Sequence, residues 1–407
     1  MQVEAFIEKI EKSTKCVEIF RKIDEIALFN QKKVLDAFKK NKIAARHFVP
    51  TTGYGYDDVG RDTLNQLFAD IFGAEAGIAS PLIVSGTHAL SLTLFSILKG
   101  GDKILSLTGR PYDTMETIIS GDGIGSLKDF GIEFDCLDFG AELSVIEAKI
   151  NEFKPTMIYL QRSRGYSWRN PLNNSEIGEI CAFIRKKAPN CIIFMDNCYG
   201  EFTDVYEPTQ LGVDVMAGSL IKNPGGGIAP TGGYVVGKRD LIDKVAYRLT
   251  APSIGLEVGS YAASYQPYYQ GLFLAPSVVK NSLKGAVLFS EAFKELGYEA
   301  LPADSDHLND IICSIKLNNA DALIKFCQTI QSVSPVDSYV TPYPWDMPGY
   351  TEQVIMAAGT FVQGASVELS ADAPIKEPYT VYVQGGLTYE HVKVALIETL
   401  KALNLVV

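Results

Sequence analysis

The sequence predicts an α/β protein whose mostly parallel sheet carries helices on both faces. Seven short apolar runs recur from about residue 79 onward: PLIVS (81–85), KILSL (103–107), EFDCLDF (133–139), TMIYLQ (156–161), CIIFMD (191–196), VMAGSL (215–220) and GGYVVG (232–237). Helical stretches such as THALSLTLFSILKG and NSEIGEICAFIRKKA lie between several of them. Strands of this kind alternating with helices imply a parallel sheet buried on both sides. Polar residues also gather where the runs end, and ligands on such sheets bind at the carboxyl ends of the strands.

Composition bounds what can stand on this sheet. The chain has 407 residues, 47% apolar and 21% charged, which suits a large globular core. A net charge of -11 argues against a nucleic-acid surface. The four histidines, at 47, 88, 307 and 391, show no metal spacing. Seven cysteines (16, 136, 181, 191, 198, 313 and 327) form no C-x-x-C pair. Most lie in apolar segments and read as reduced core residues of a cytoplasmic protein. The opening VEAFIEKIEKSTKCVEIF is charged throughout and lacks the apolar run of an export signal. No stretch approaches the roughly 18 uncharged apolar residues of a membrane span.

Residues 3–45 alternate apolar and charged positions at helical spacing, which predicts one or two amphipathic helices. The glycine- and tyrosine-rich VPTTGYGYDDVGRDTL follows as a loop, with Asp62 as a candidate helix cap. From there the strands take over. PLIVS runs into Gly86-Thr87-His88, and TMIYL into Gln161-Arg162-Ser163-Arg164. CIIFM runs into Asp196-Asn197. VMAGSL carries Ser219 and runs into Lys222-Asn223-Pro224 and three glycines.

Asp196 ends a buried run, and a carboxylate there needs a partner. A protonated ring nitrogen is one; a helix cap or an ion pair within the protein is the other. Lys222 follows a small-residue strand, and a dry site lowers a lysine pKa toward imine chemistry. A solvated turn lysine in NPGGG is the competing reading. The two together, an Asp on one strand end and Ser-x-x-Lys on the next, 26 residues later, are far more specific than either alone.

MDNCYGEF, SLIKNPGGGIAPTGGY and GASVELSADAPIKEPYTVYVQGG resemble the bacterial proteins labelled aluminium-resistance or methionine gamma-lyase-like. These form a branch of the cystathionine beta-lyase and methionine gamma-lyase group within the fold-type I enzymes of pyridoxal 5'-phosphate (PLP). The resemblance runs from the GYGYDD loop to the C-terminus. It implies PLP bound through the Lys222 amine, with Asp196 facing the pyridine nitrogen. After a helical segment at 1–50, read from the periodicity above, it also implies a large cofactor domain at 51–280 and a small α+β domain at 281–407. Dimers or tetramers with shared active sites follow from the same resemblance. The aluminium label names a phenotype and no mechanism.

The resemblance carries further residues. It places the cofactor phosphate on Ser85, Gly86 and Thr87, where a helix start offers N–H groups, and on the Ser219 hydroxyl. Tyr112, in GRPYDT, matches the aromatic residue stacked on the pyridine ring; core packing is the alternative. His88 reads equally as a stacking or relay group and as a helix-capping residue. Tyr56 and Arg61, near Tyr54, match loosely the residues that reach a neighbouring subunit's phosphate. One departure stands out. Relatives grip the substrate carboxylate with an arginine in the C-terminal domain, yet Arg248 is the last arginine of this chain. Arg162, Arg164 and Lys376 are the candidates left, and a lysine cannot make the forked contact.

The activity implied is carbon–sulfur cleavage of a sulfur-containing amino acid. Asp196 keeps the ring nitrogen protonated, and Lys222, once displaced by the substrate amine, takes the Cα proton. A thiol leaves from Cβ or Cγ, and a keto acid and ammonia follow. The glycines after Lys222 are expected to let the backbone approach the cofactor at positive φ. An aldolase or transferase on the same cofactor, or a silent protein of this fold, are the rival readings. A nucleotide-binding protein is disfavoured, because no G-x-G-x-x-G or Walker lysine follows the first strand.

Overall fold

Helical periodicity opens the chain as expected. The computed structural model describes residues 2–303, 308–347 and 350–406, so His307 lies outside the described residues. It begins with α1 (Gln2–Glu11) and α2 (Thr14–Lys40). Ile7 and Ile10 of α1 and Cys16, Ile19 and Ile23 of α2 form the buried side. Next comes α3 (Val59–Ile71). Its cap is Asp58, which accepts from the Arg61 N–H at 2.9 Å. Asp62 does not cap it: the helix starts one turn earlier, and Asp62 pairs with Arg61 Nε at 2.8 Å.

The large sheet then follows as β1 (Ala76–Ser80), α4 (Gly86–Ile97), β2 (Lys103–Ser106), α5 (Asp113–Ser120), β3 (Glu133–Cys136) and α6 (Leu143–Phe153). It continues through β4 (Met157–Gln161), α7 (Asn174–Lys187), β5 (Ile192–Asp196), β6 (Val215–Ser219), β7 (Gly233–Gly237) and α8 (Arg239–Leu249). The seven strands lie in the order β1-β7-β6-β5-β4-β2-β3. Only β7 runs antiparallel to its neighbours.

Six apolar runs coincide with strands, and the first does not. PLIVS is a turn, and the strand is the preceding AGIAS. Pro81 has no N–H for a ladder, and Leu82 and Val84 face solvent while Ile83 is buried.

Alternate residues of each strand feed two cores. On β4, Ile158 and Leu160 pack with α3, α6 and α7, whereas Met157 and Tyr159 pack with α4, α5 and α8. The sheet is therefore covered on both faces, as its apolar runs require.

The 30-residue helix α9 (Gln266–Glu295) leads into the C-terminal part. There follow β8 (Ala300–Leu301), β9 (Ile312–Lys316), α10 (Ala320–Ser332), β10 (Val354–Ala357), β11 (Ser370–Pro374), β12 (Thr380–Gln384) and α11 (Tyr389–Ala402). The strands form an antiparallel sheet ordered β10-β11-β12-β9-β8. Residue 280 lies mid-helix in α9, which packs along α2, from Gln31 at Phe273 to Lys15 at Glu291, and also on β9, β12 and α11. By length and composition α9 is apolar enough to cross a membrane, against the expectation that no segment is. Its most apolar stretch is 67% buried inside the protein.

Candidate active site

Three adjacent strand ends build the site. Asp196, last residue of β5, is in register with Gln161 of β4 on one side and Ala217 of β6 on the other. Lys222 follows three residues after Ser219, which closes β6. Both side chains line one cavity of about 640 Å³, together with Ser85, Gly86, Thr87, Tyr112 and Ser219. The far wall comes from the C-terminal sheet, through Met356, Asp372 and Gln384.

Asp196 is 4% exposed, and burial raises its pKa. The Cys198 N–H donates to its Oδ1 at 3.0 Å, a bond that helps hold it charged. Lys222 Nζ lies 4.0 Å from the centre of the Tyr199 ring. Its expected downward shift does not occur. Burial pulls its pKa down, but the acidic groups around it (Cys198, Tyr199, Tyr112 and Asp196) outweigh burial and raise it.

At the other side of the cavity α4 begins. Ser85 caps it, accepting from the His88 N–H at 3.1 Å. Gly86 and Thr87 are its first residues, and such N–H groups have no partner within a helix. A methyl group on Gly86 would lie 2.9 Å from the Ser219 Cβ, so the helix start and the end of β6 abut in one corner. Tyr112 caps α5, and its hydroxyl lies 3.1 Å from Thr87 Oγ1. Burial raises its pKa, keeping the phenol neutral. His88 is absent from the cavity wall; its Nδ1 accepts from the Val84 N–H at 3.1 Å, the capping role.

The candidate carboxylate anchors separate clearly. Arg162 is fully buried and lies outside the cavity wall. It bonds Asn197, Gly200 and Asn174 at 2.9–3.1 Å. Strand alternation turns it away from the cavity, so a substrate-binding role does not fit. Lys376 is exposed, in the turn beyond β11, and also outside the wall; β11 enters the cavity at its Ser370 end and leaves it before that turn. Arg164 does line the cavity. It is 1% exposed and forks onto Asp310, with Nε–Oδ2 at 3.1 Å and Nη2–Oδ1 at 3.2 Å. Its buried Nη1 has no hydrogen-bond partner among the described residues.

Tyr56 and Arg61 lie outside their own chain's cavity wall. Tyr56 is 63% exposed, and Arg61 is buried on Asp62 and on the Gly55 carbonyl. The glycine loop takes positive φ at Gly226 and Gly227, as expected, for a different reason. A methyl on Gly226 would meet the Gly271 carbonyl of α9 at 2.4 Å, and one on Gly227 would meet Leu387. Gly226 is thus confined by α9, and Gly227 by Leu387 ahead of α11.

Several wall residues were not singled out from the sequence. Tyr199 has φ 71, rare for a bulky residue. Its hydroxyl lies 3.1 Å from Ser366 Oγ, tying the large sheet to the C-terminal part. Its place three residues after Asp196 was the available signal. Tyr166, Asp372 and Gln384 gave none, and neither did Asp310, which holds Arg164 from outside the wall, since only the folded chain brings them to the strand ends.

A family model described as methionine gamma-lyase matches residues 3–404. The chain belongs to the methionine gamma-lyase family. An uncharacterized Bacillus subtilis protein is 50% identical over 95% of this chain and 93% of its own length. A solved structure from Listeria monocytogenes, described as involved in aluminum resistance, superposes with a TM-score of 0.95 at 48% identity. That match covers 98% of this chain and 100% of the other. A carbon-sulfur lyase involved in aluminum resistance from Clostridium novyi gives a TM-score of 0.92 at 45% identity, over 98% of this chain and 95% of that one. The family is one of PLP-dependent carbon–sulfur lyases. The residues here fit that cofactor: a helix start abutting a serine for the phosphate, an aromatic ring, a buried carboxylate and an amine share one cavity.

Proposed function

We propose that the protein cleaves the carbon–sulfur bond of a sulfur-containing amino acid and releases a thiol, a keto acid and ammonia. The observation that carries this reading is the convergence of Asp196 and Lys222, from neighbouring strand ends, on one cavity. PLP, held through the Lys222 amine, supplies an electron sink for the charge left when a Cα proton is removed.

The protein's own groups do the rest. Asp196 holds the proton on the ring nitrogen, and its buried position makes that charge pair strong. Gly86, Thr87 and Ser219 hold the phosphate, with the Ser85-capped helix end adding a positive field. Tyr112, on the cavity wall, would stack on the pyridine ring. Arg164 takes the substrate carboxylate through its unpartnered Nη1, while Asp310 holds the guanidinium still. Lys222, freed when the substrate amine takes its place, removes the Cα proton. The C–S bond then breaks with its electron pair going to sulfur, which leaves as a thiol after gaining a proton. Water enters, and the nitrogen leaves as ammonia. Tyr56, which is exposed, would serve a neighbouring subunit's cavity in a dimer or tetramer. The free cysteines suit the reducing cytoplasm.

A panel of sulfur amino acids, assayed for thiol, keto acid and ammonia together, tests the reaction. Lys222→Ala is expected to remove turnover and the visible absorbance of the lysine-bound cofactor. A yellow, active variant overturns the assignment, and so does an absence of all three products from every compound.

A further inference from the structure

Tyr199 lines the cavity in a costly backbone shape, with φ 71. A bulky residue keeps that conformation only where its surroundings enforce it. Here they do so from two sides. Asn223, the residue after Lys222, donates through Nδ2 to the Tyr199 carbonyl at 2.9 Å and to the Glu201 carbonyl at 3.0 Å. Arg162 Nη1 donates to Asn197 Oδ1 at 3.1 Å and to the Gly200 carbonyl at 2.9 Å. A methyl on Gly200 would collide with the Arg162 side chain. The turn from Asn197 to Glu201 is clamped, and the clamp decides where the Tyr199 ring goes.

The ring meets the Lys222 amine. Lys222 Nζ lies over its face, 4.0 Å from the centroid. The Tyr199 hydroxyl is engaged elsewhere, donating to Ser366 Oγ at 3.1 Å. No hydrogen bond or ion pair to a described residue holds Nζ, so the face is its closest polar neighbour. An aromatic face is negative and attracts a cation within about 6 Å, more strongly where water is excluded. A neutral amine gains little from it. The face therefore distinguishes the two protonation states of Lys222. The other titratable groups facing the amine are Asp196 and Cys198 at the end of β5, Tyr112 ahead of α5, Glu201 in the clamped turn and Asp372 on β11. All of them stay in place when residue 199 is changed.

We infer that Tyr199 is a further catalytic residue, whose ring face stabilises the positive charge that Lys222 acquires on taking the Cα proton. This rests on Lys222 as the cofactor-bearing base. In that step the Cα–H bond breaks, its electron pair stays with the substrate and cofactor, and the proton turns a neutral amine into an ammonium. A charge that appears in a buried site is costly. The ring reduces that cost as the charge develops, which is the condition for speeding a step rather than tightening binding.

Residue 199 can be changed at nearly constant shape. Tyr199→Phe keeps the face and loses the Ser366 bond. Trifluorophenylalanine at the same position keeps the shape and drains the face of negative charge. Tyr199→Leu removes the face. Holoenzyme is compared by two readouts, each taken per molecule of Lys222-bound cofactor so that unfolded protein is not counted. The first needs no substrate: the pH at which the visible band is lost as the Lys222 nitrogen gives up its proton. The ring favours the protonated form, so this midpoint is expected about one pH unit lower in Tyr199→Leu. The fluorinated protein should fall between Tyr199→Leu and Tyr199→Phe. The second readout is exchange of the L-alanine Cα hydrogen in heavy water, followed by proton NMR. Alanine has no leaving group, so proton removal is seen alone. Exchange is expected to slow roughly tenfold in Tyr199→Leu and less than about threefold in Tyr199→Phe. The band midpoints decide alone if the wild-type enzyme leaves alanine unexchanged. Midpoints indifferent to the ring, or exchange lost equally with Phe and its fluorinated form, overturn the role of Tyr199 and leave the lyase reading intact. The expected midpoints together with no thiol from any sulfur amino acid support Tyr199 and sink the lyase reading instead. A wild-type protein that gains no visible band with PLP overturns both.

Discussion

Arg162 and Arg164 show what a single residue's position decides. Both follow β4 in sequence, and from the chain alone either could serve the substrate. Strand parity, which requires knowing where the strand stops, separates them: β4 ends at Gln161, Arg162 turns into the core, and Arg164 faces the cavity. Their variants should differ accordingly. Arg164→Gln leaves Asp310 less well paired but takes the free Nη1 from the cavity, so kcat/KM should fall on the order of 100-fold, mostly through KM. Steady-state kinetics check it, and an unchanged KM would remove Arg164 from the substrate. Arg162→Gln leaves Asn197, Asn174 and the Gly200 carbonyl short of donors in the core. It should act on stability, by roughly 3 kcal/mol or more, read as a lower denaturation midpoint. Asp196 and Lys222 were legible because a charge at the end of an apolar run stands out. Asp310 and Asp372 were not, because nothing in LNDII or SADAP marks a residue whose significance lies in a strand end far away in sequence.

Elements were legible where their residues behaved typically. Six apolar runs became strands at the expected places, and both long helical stretches formed α4 and α7. The exception is β1. AGIAS is small and weakly β-prone, while the adjacent PLIVS is branched and apolar, so propensity favours the wrong segment. Tertiary context overrides it: the small residues of β1 lie against α3, where a methyl on Gly77 would meet the Asn65 carbonyl at 3.2 Å. The same displacement leaves PLIVS free to act as the lead into α4. That helix start meets β6 without room to spare, which makes Gly86 a test of the phosphate corner. Gly86→Ala places a methyl 2.9 Å from Ser219 Cβ, forcing helix and strand apart. Cofactor affinity should drop about tenfold or more, an order expected for losing one well-made phosphate contact. Titration of apoprotein with PLP, followed by absorbance, measures it. Wild-type affinity in this variant would move the phosphate elsewhere.

At the scale of the whole molecule, the cavity exists only because two sheets meet. The parallel sheet was readable from its period and its strand ends, whereas the opposing wall comes from antiparallel strands that leave no charged signature at their ends. The meeting also buries carboxyls that oppose folding when they ionise. Glu201 lies under the site, its Oε1 accepting from the Tyr234 hydroxyl at 2.7 Å while its Oε2 has no hydrogen-bond partner among the described residues. Burial raises its pKa from 4.5 to about 8, with Tyr234 partly offsetting. Asp372 is raised from 3.8 to about 6. In both, the folded state binds the proton more tightly than the unfolded chain, so the stabilising contribution is complete at low pH. It is lost as pH rises between the two values, by up to about 1.4 kcal/mol per pH unit for each group titrating. Stability contributed by this pair should therefore decline from about pH 4 to about pH 8, through both groups up to about pH 6 and through Glu201 alone above it. Glu201→Gln keeps an acceptor for Tyr234 and removes the titration. Its absolute stability can fall from the new buried amide, so the readout is the slope. Denaturation midpoints should decline less steeply between about pH 6 and about pH 8 in the variant than in the wild type. Parallel slopes over that interval would mean that Glu201 is already ionised in the folded protein, its charge balanced by Lys222 across the floor of the site.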